Sequence, residues 1–319
     1  MFGGIIMKRV EKQFRDYTQC EKVFEFLNPN NNDLLSKMNE KDLKQFIKLL
    51  NMYYLTLRDK LGFSSDISFG LEIEFEHADR YEIDHELFTK MNGKGYCTTI
   101  DRSLDEGGEI STPILYDNTD TWKTIDDVCS IVNNWAIIGK KSGGHIHIGA
   151  HILENDPQNW LNFMRLWSVY EYVIYRFTNG EYSTSRPSME EYATPIARSM
   201  WLEAKKLEKK EYDLMELVEC LKTFYSNNAI DFSHIRQYHS HEFHNGNTIE
   251  FRCPNGTLNP IIWQNNVNLF VNLLLYSKDN KYDMDMISKR HKISLDRYYS
   301  TDRSEEHTSE LQSLAYLVC

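Results

Sequence analysis

Three short segments of this chain place acids and histidines on every second residue. They are Gly70-Leu71-Glu72-Ile73-Glu74-Phe75-Glu76, Gly144-His145-Ile146-His147-Ile148-Gly149 and Thr248-Ile249-Glu250-Phe251-Arg252. Alternate side chains of a β-strand point to one face. Each segment therefore reads as a strand with an apolar face and an ionisable face. Gathering carboxylates and imidazoles on one sheet face is unfavourable unless positive charge sits among them, and a divalent cation is the simplest source. Each segment also fits a plainer reading. Glu72 and Glu74 could be solvated, with Glu76 solvated near the strand end. His145 and His147 could be hydrogen-bonded strand histidines, and Glu250 with Arg252 a structural ion pair.

Composition narrows the classes. The chain has 319 residues, 41% hydrophobic and 13% aromatic, enough for one large domain or a domain with a helical extension. A net charge of -11 argues against a surface dominated by a nucleic-acid groove. Six cysteines lack CxxC spacing, which suits a reducing cytosol and gives no zinc-ribbon signal. No apolar run approaches the roughly 20 residues of a membrane helix, and Met1–Ile6 is too short for a signal-peptide core before Lys8 and Arg9. The expectation is a cytoplasmic protein with no membrane or nucleic-acid partner. Residues 303–319, beginning Arg303-Ser304-Glu305-Glu306-His307, read as the translation of a sequencing adapter and are set aside as a non-native tail; an amphipathic natural tail is the alternative.

Hydrophobic spacing organises the rest. Residues 1–65 read as an N-terminal helical extension, with one helix over Asp42–Leu61. Residues 66–115 look β-rich, with strands over Ile67–Glu76, Tyr96–Ile100 and Glu109–Thr112 and a turn over 101–108. Helices are predicted over 120–140, 157–178 and 260–277, and a charged, half-solvated helix over 199–227. Residues 180–198 read as irregular, and Gln237–His244 with Thr248–Cys253 as a hairpin turning at Asn245-Gly246-Asn247. Strands interrupted by helices without βαβ alternation predict α+β with a mainly antiparallel sheet.

Glu72 and Glu74 lie about 6.5–7 Å apart along one strand face, a spacing that can serve two adjacent metal ions. Glycines at 143, 144 and 149 permit close approach of a ligand or another backbone beside His145 and His147. Arg252 beside Glu250 could act as a phosphate clamp next to a metal ligand. Hard carboxylate donors favour Mg²⁺ or Mn²⁺.

Taken together, the chain resembles the amidoligase family, relatives of glutamine synthetase and glutamate–cysteine ligase, over residues 66–278. The motifs are Gly70/Glu72/Glu74, then Asp101/Ser103, then Gly108/Glu109/Ser111 with Pro113 after one extra residue. The Gly143–Gly149 HxH strand follows, and then Thr248–Arg252 with Asn255-Gly256-Thr257. The resemblance implies a catalytic domain over 66–302, with a helical insertion at about 150–230 and a sheet curved into a half-barrel with a glutamine synthetase-like core and flanking helices. It implies an ATP- and Mg²⁺-dependent carboxylate–amine ligase that works through an acyl phosphate on small-molecule or peptide acids and amines. It also implies that Glu72, His145 and Glu250 hold the metal on the nucleotide phosphates, and that Glu74 and Glu109 hold the metal near the acid and amine. Arg252 neutralises the transferring phosphoryl group and His147 orients acid or phosphate. Arg186 and Arg198 reach phosphates or the substrate carboxylate, surface exposure being the alternative for both. Asp101 is the candidate acceptor of the amine proton.

Two other classes stay open. A metal-dependent hydrolase could use the same acids and histidines to activate water, though HExxH is absent. His234, His239, His241 and His244 form a second histidine cluster, read as a substrate loop or plain exposure, with transition-metal binding as the alternative. A non-catalytic nucleotide- or ligand-binding relative is the other class.

Overall fold

The computed structural model describes residues 57–91, 94–179, 189–209, 211–224, 227–235 and 246–278. The helical extension before residue 57, the Gln237–His244 arm of the hairpin and the 303–319 tail lie outside the described residues. Residues 57–61, expected to close the Asp42–Leu61 helix, are not helical. The Arg58 backbone is instead held by Gln264, which accepts from its N–H and donates to its carbonyl at 2.8 Å each.

Among the described residues, the centre of the molecule is a seven-stranded sheet. Its long members are β1 (Ser68–Phe75) and β5 (Gly144–Gly149). The others are β2 (Thr98–Thr99), β3 (Gly108–Ser111), β4 (Leu115–Tyr116), β6 (Ile230–Asp231) and β7 (Thr248–Phe251). The order is β2-β3-β1-β5-β7-β6, with β4 pairing with the start of β1, and every ladder among the described residues is antiparallel. The expected α+β class with an antiparallel sheet is thus present. The strand expected over Tyr96–Ile100 is only two residues long, and β4 and β6 are strands that periodicity did not reveal, being too short to alternate.

The helices are α1 (Arg80–Met91), α2 (Thr119–Trp135), α3 (Pro157–Asn179), α4 (Met189–Tyr192), α5 (Ala197–Leu207), α6 (Leu214–Leu221) and α7 (Pro260–Ser277). A 3₁₀ turn, Ala150–Leu153, links β5 to α3. Helix α1 lies inside the stretch expected to be β-rich. Its signals were present: Asp79 accepts from the Glu82 N–H at 3.2 Å as an N-terminal cap, and Ile83, Leu87 and Met91 recur every fourth residue and are buried. The single charged helix expected over 199–227 is two helices. Asp213 starts the second by accepting from the Glu216 N–H at 2.8 Å. Helix α2 stops at Trp135 rather than 140. Within the expected irregular stretch 180–198, α4 forms and α5 begins.

The apolar strand face carries the core. Phe69 stacks on Trp122 of α2 at 5.2 Å between ring centroids, and Phe251 stacks on Phe270 of α7 at 4.1 Å. Phe163 and Trp167 of α3 pack on Phe251 at 6.2 and 5.8 Å. Three helices therefore cover one face of the sheet with large side chains, which is the main source of burial energy here. No helix among the described residues is long and apolar enough to cross a membrane.

Candidate active site

Register decides which ionisable residues meet. Directly opposed residues of an antiparallel pair project to the same face. Glu72 lies opposite His145, and Glu74 opposite Glu109. His147 lies opposite Glu250, and Glu250 opposite Asp231. The strand faces identified in the sequence are therefore one continuous surface, on the side away from the Phe69 and Phe251 core.

The side chains converge as ion pairs and hydrogen bonds. His145 Nδ1 sits 2.8 Å from Glu72 Oε2 and 3.3 Å from Glu250 Oε1, and its Nε2 lies 3.3 Å from Glu74 Oε1. That Nε2 is buried and makes no hydrogen bond, because the approach to Glu74 has the distance but not the direction. His147 Nε2 is 3.1 Å from Glu72 Oε1, and its Nδ1 is 3.1 Å from Thr248 Oγ1. Arg252 donates to Glu250 and, from Nε, to the Tyr192 carbonyl at 3.3 Å. Glu74 accepts from the Gly143 N–H.

Two of the donor groups among the described residues hold the acids of β1. Ligand atoms of Glu72, His145 and Glu250 lie within 4.8 Å of one another, and so do those of Glu74, Asp101 and Glu109. The electrostatics differ between them. Burial raises the Glu72 carboxyl, but the hydrogen bonds and charges of His145 and His147 outweigh it and hold the group far below the usual range. Glu250 follows the same pattern, burial being overcome chiefly by His234 and His145, and settles at about 2. Glu109 is pushed up, first by burial and then by the charges of Glu72 and Glu74. The Glu74–Asp101–Glu109 end is thus short of positive charge.

Both groups suit a divalent ion. The second group offers only carboxylate oxygens, the chemistry of Mg²⁺ or Mn²⁺. The first adds an imidazole, and His145 Nε2 is a buried polar atom that makes no hydrogen bond. A cavity of about 270 Å³ opens beside Glu72 and His147, lined also by Gly70, Ser111, Thr112, His234 and Thr248.

Some expected residues sit elsewhere. Glu76, expected to be solvated, is 2% exposed and accepts from the Asp105 and Lys141 N–H groups at 3.2 Å each. It shapes the loops around the site rather than facing solvent. Arg198 is exposed in the first turn of α5. Arg186, His239, His241 and His244 lie outside the described residues. Gly144 serves packing: a Cβ there would come within 2.8 Å of both the Asn255 carbonyl and the Trp263 ring. The close approach foreseen for the glycines is, at this position, to another backbone.

His234, given a substrate-loop or exposed role from the sequence, belongs to the site. Its Nε2 lies 2.8 Å from Glu250 Oε2 and its ring meets His147 edge-on at 4.9 Å. Nothing in local periodicity could signal this, because it follows a two-residue strand.

A family model described as "putative amidoligase enzyme" matches residues 97–274, over half of the chain. No curated protein matches the chain.

Proposed function

We propose, since the chain belongs to the amidoligase family, that it is an ATP- and Mg²⁺-dependent carboxylate–amine ligase forming an amide through an acyl phosphate. The observation that supports this most directly is the meeting, on one sheet face, of two ligand groups with Arg252 beside Glu250 of the first. The reading carries with it a sheet curved as in glutamine synthetase, a catalytic domain over 66–302 with a helical insertion near 150–230, and a cytoplasmic setting.

Glu72, His145 and Glu250 would hold the ion on the nucleotide side, and Glu74 and Glu109 the ion nearer the acid and amine. When bound, these ions supply charge neutralisation to the phosphoryl oxygens. The cavity beside Glu72 and His147 lies at the nucleotide end in this arrangement. A carboxylate is a poor electrophile, so its oxygen first takes the γ-phosphoryl group, with ADP as the leaving group. The amine then attacks the acyl carbon, phosphate departs and the amine loses a proton.

Arg252 is held by Glu250 and by the Tyr192 carbonyl. A guanidinium fixed in this way neutralises charge on the phosphoryl group without reorganising during the reaction. His147, held by Thr248, would orient acid or phosphate. Arg198, with Arg186, is proposed to reach phosphates or the substrate carboxylate. Asp101 stands beside Glu74 and Glu109 and would accept the amine proton or complete that ligand group. The substrates are small-molecule or peptide acids and amines, with neither nucleic acid nor membrane as partner.

The test is ADP release by purified protein with Mg²⁺, ATP and pools of acids and amines. Release should require both substrates and vanish in Glu72→Gln and Arg252→Ala. Product formed equally well without ATP would establish a hydrolase instead. Nucleotide binding with no turnover on any acid–amine pair would favour a non-catalytic relative.

A further inference from the structure

The Glu72/His145/Glu250 and Glu74/Asp101/Glu109 groups leave one convergence unused. His147 from β5, His234 from the loop after β6 and Glu250 from β7 bring ligand atoms within 4.8 Å of one another. The geometry points to a third cation position here, one that takes a borderline divalent ion such as Zn²⁺ or Co²⁺ in preference to Mg²⁺.

The donor chemistry carries the preference. Two imidazoles and one carboxylate suit Zn²⁺, Co²⁺ and Mn²⁺, whereas Mg²⁺ prefers oxygen and keeps its water. The ligands are also supported as metal ligands are. Thr248 Oγ1 lies 3.1 Å from His147 Nδ1 and fixes that ring. A hydrogen bond on one ring nitrogen is the usual outer support of a metal-bound histidine, and it leaves Nε2, which sits 3.1 Å from Glu72 Oε1, as the nitrogen that would turn to an ion. Glu250 is 1% exposed, and its oxygens diverge: Oε1 faces His145 and Oε2 faces His234. One buried carboxylate would therefore bridge the third position and the nucleotide-side position. His147 and His234 both line the 270 Å³ cavity, which leaves room for water or an anionic ligand to complete the coordination.

Alternation in the sequence could not assign this position, because its three ligands come from three different segments of the chain. It stands independently of the ligase reading, since it concerns ion binding alone. Chelator-treated protein would be dialysed against Co²⁺ with Mg²⁺ in large excess, and bound cobalt and its d–d absorption measured. The expected result is that His234→Ala and His234→Gln each lose one cobalt equivalent present in the wild type. Thr248→Val should weaken that equivalent about tenfold, and Glu109→Gln should retain it. Zn²⁺ should bleach the band. Melting in chelator checks that the variants are folded, and Thr248→Val, which leaves all three ligands in place, reports on the position if a His234 variant is not. Cobalt binding that Mg²⁺ fully displaces from the wild type would overturn the assignment. So would binding that is unchanged in the folded His234 variants and in Thr248→Val.

Discussion

Glu109→Gln should stabilise the metal-free protein while removing the part of its response to Mg²⁺ that comes from the Glu74/Asp101/Glu109 position. The carboxylates of Glu74, Asp101 and Glu109 have oxygens within 4.8 Å of one another. Two unit charges at that separation repel by roughly 3.5 kcal/mol at an effective dielectric of about 20. Glu109 is half-buried, so solvent and salt reduce this to about 1 kcal/mol. The Thr99 hydroxyl, 3.1 Å from Glu109 Oε1, can donate equally to a glutamine oxygen, so little is lost on the other side. For a domain of this size 1 kcal/mol shifts Tm by roughly 2–4 °C. In chelator, the variant should melt that much higher. At Mg²⁺ a hundredfold above its Kd, binding to the folded state adds about 2.7 kcal/mol to the wild type, and the order should reverse. The pH dependence has a definite sign. Glu109 is raised in the fold, chiefly by burial and then by Glu72 and Glu74. Its protonated form therefore favours the folded state at low pH, and that contribution is lost as pH rises through the folded value. The advantage of glutamine should accordingly be absent below roughly pH 4 and grow toward neutrality. Calorimetry with and without Mg²⁺ at several pH values measures all three effects. If Glu109→Gln melts no higher than wild type in chelator, or keeps the full Mg²⁺ shift, the acidic group is not a charge-starved ion site.

Three other outcomes follow from the packing. Glu171 is buried on α3 and accepts from Trp167 Nε1 and the Ile196 N–H at 2.7 Å each, and from the Ala197 N–H at 2.9 Å. Burial nevertheless pushes its carboxyl up to about 7. Glu171→Ala leaves three donors unpaired, Trp167 Nε1 on α3 and the Ile196 and Ala197 N–H groups at the start of α5, and should cost about 3 kcal/mol by denaturant unfolding; a loss under 1 kcal/mol would mean the segment is held by other contacts. Gly144→Ala should destabilise by roughly 1–3 kcal/mol through overpacking against Asn255 and Trp263, read by the same method. Gly70 lines the cavity, and a Cβ there meets His147 and Thr112 only at 3.7 and 3.8 Å. Gly70→Ala should therefore fold normally, while Gly70→Val should raise the KM for nucleotide roughly tenfold if the cavity binds it; an unchanged KM would place the nucleotide elsewhere.

The sequence by itself determined the chemistry of the strands. Glu72 and Glu74, His145 and His147, and Glu250 and Arg252 had to share faces, because alternation is a property of the extended backbone and needs no partner. The long helices were equally legible wherever Trp, Phe and Ile recur with helical spacing, as in α3 and α7. Only tertiary structure decided the rest. Glu72 lies directly opposite His145, with His147 reaching it diagonally, through register, which depends on how β1 and β5 pair and not on either strand alone. Glu76 continues the same alternation as Glu74 yet is a buried brace, because the 105 and 141 loops fold over it. Helix α1 was masked by its charged surface and shows itself once Ile83, Leu87 and Met91 find the core. His234 carries no periodic signal at all. It became part of the site because β6 pairs with β7 and sets the following loop against Glu250, a contact between residues that no local pattern connects.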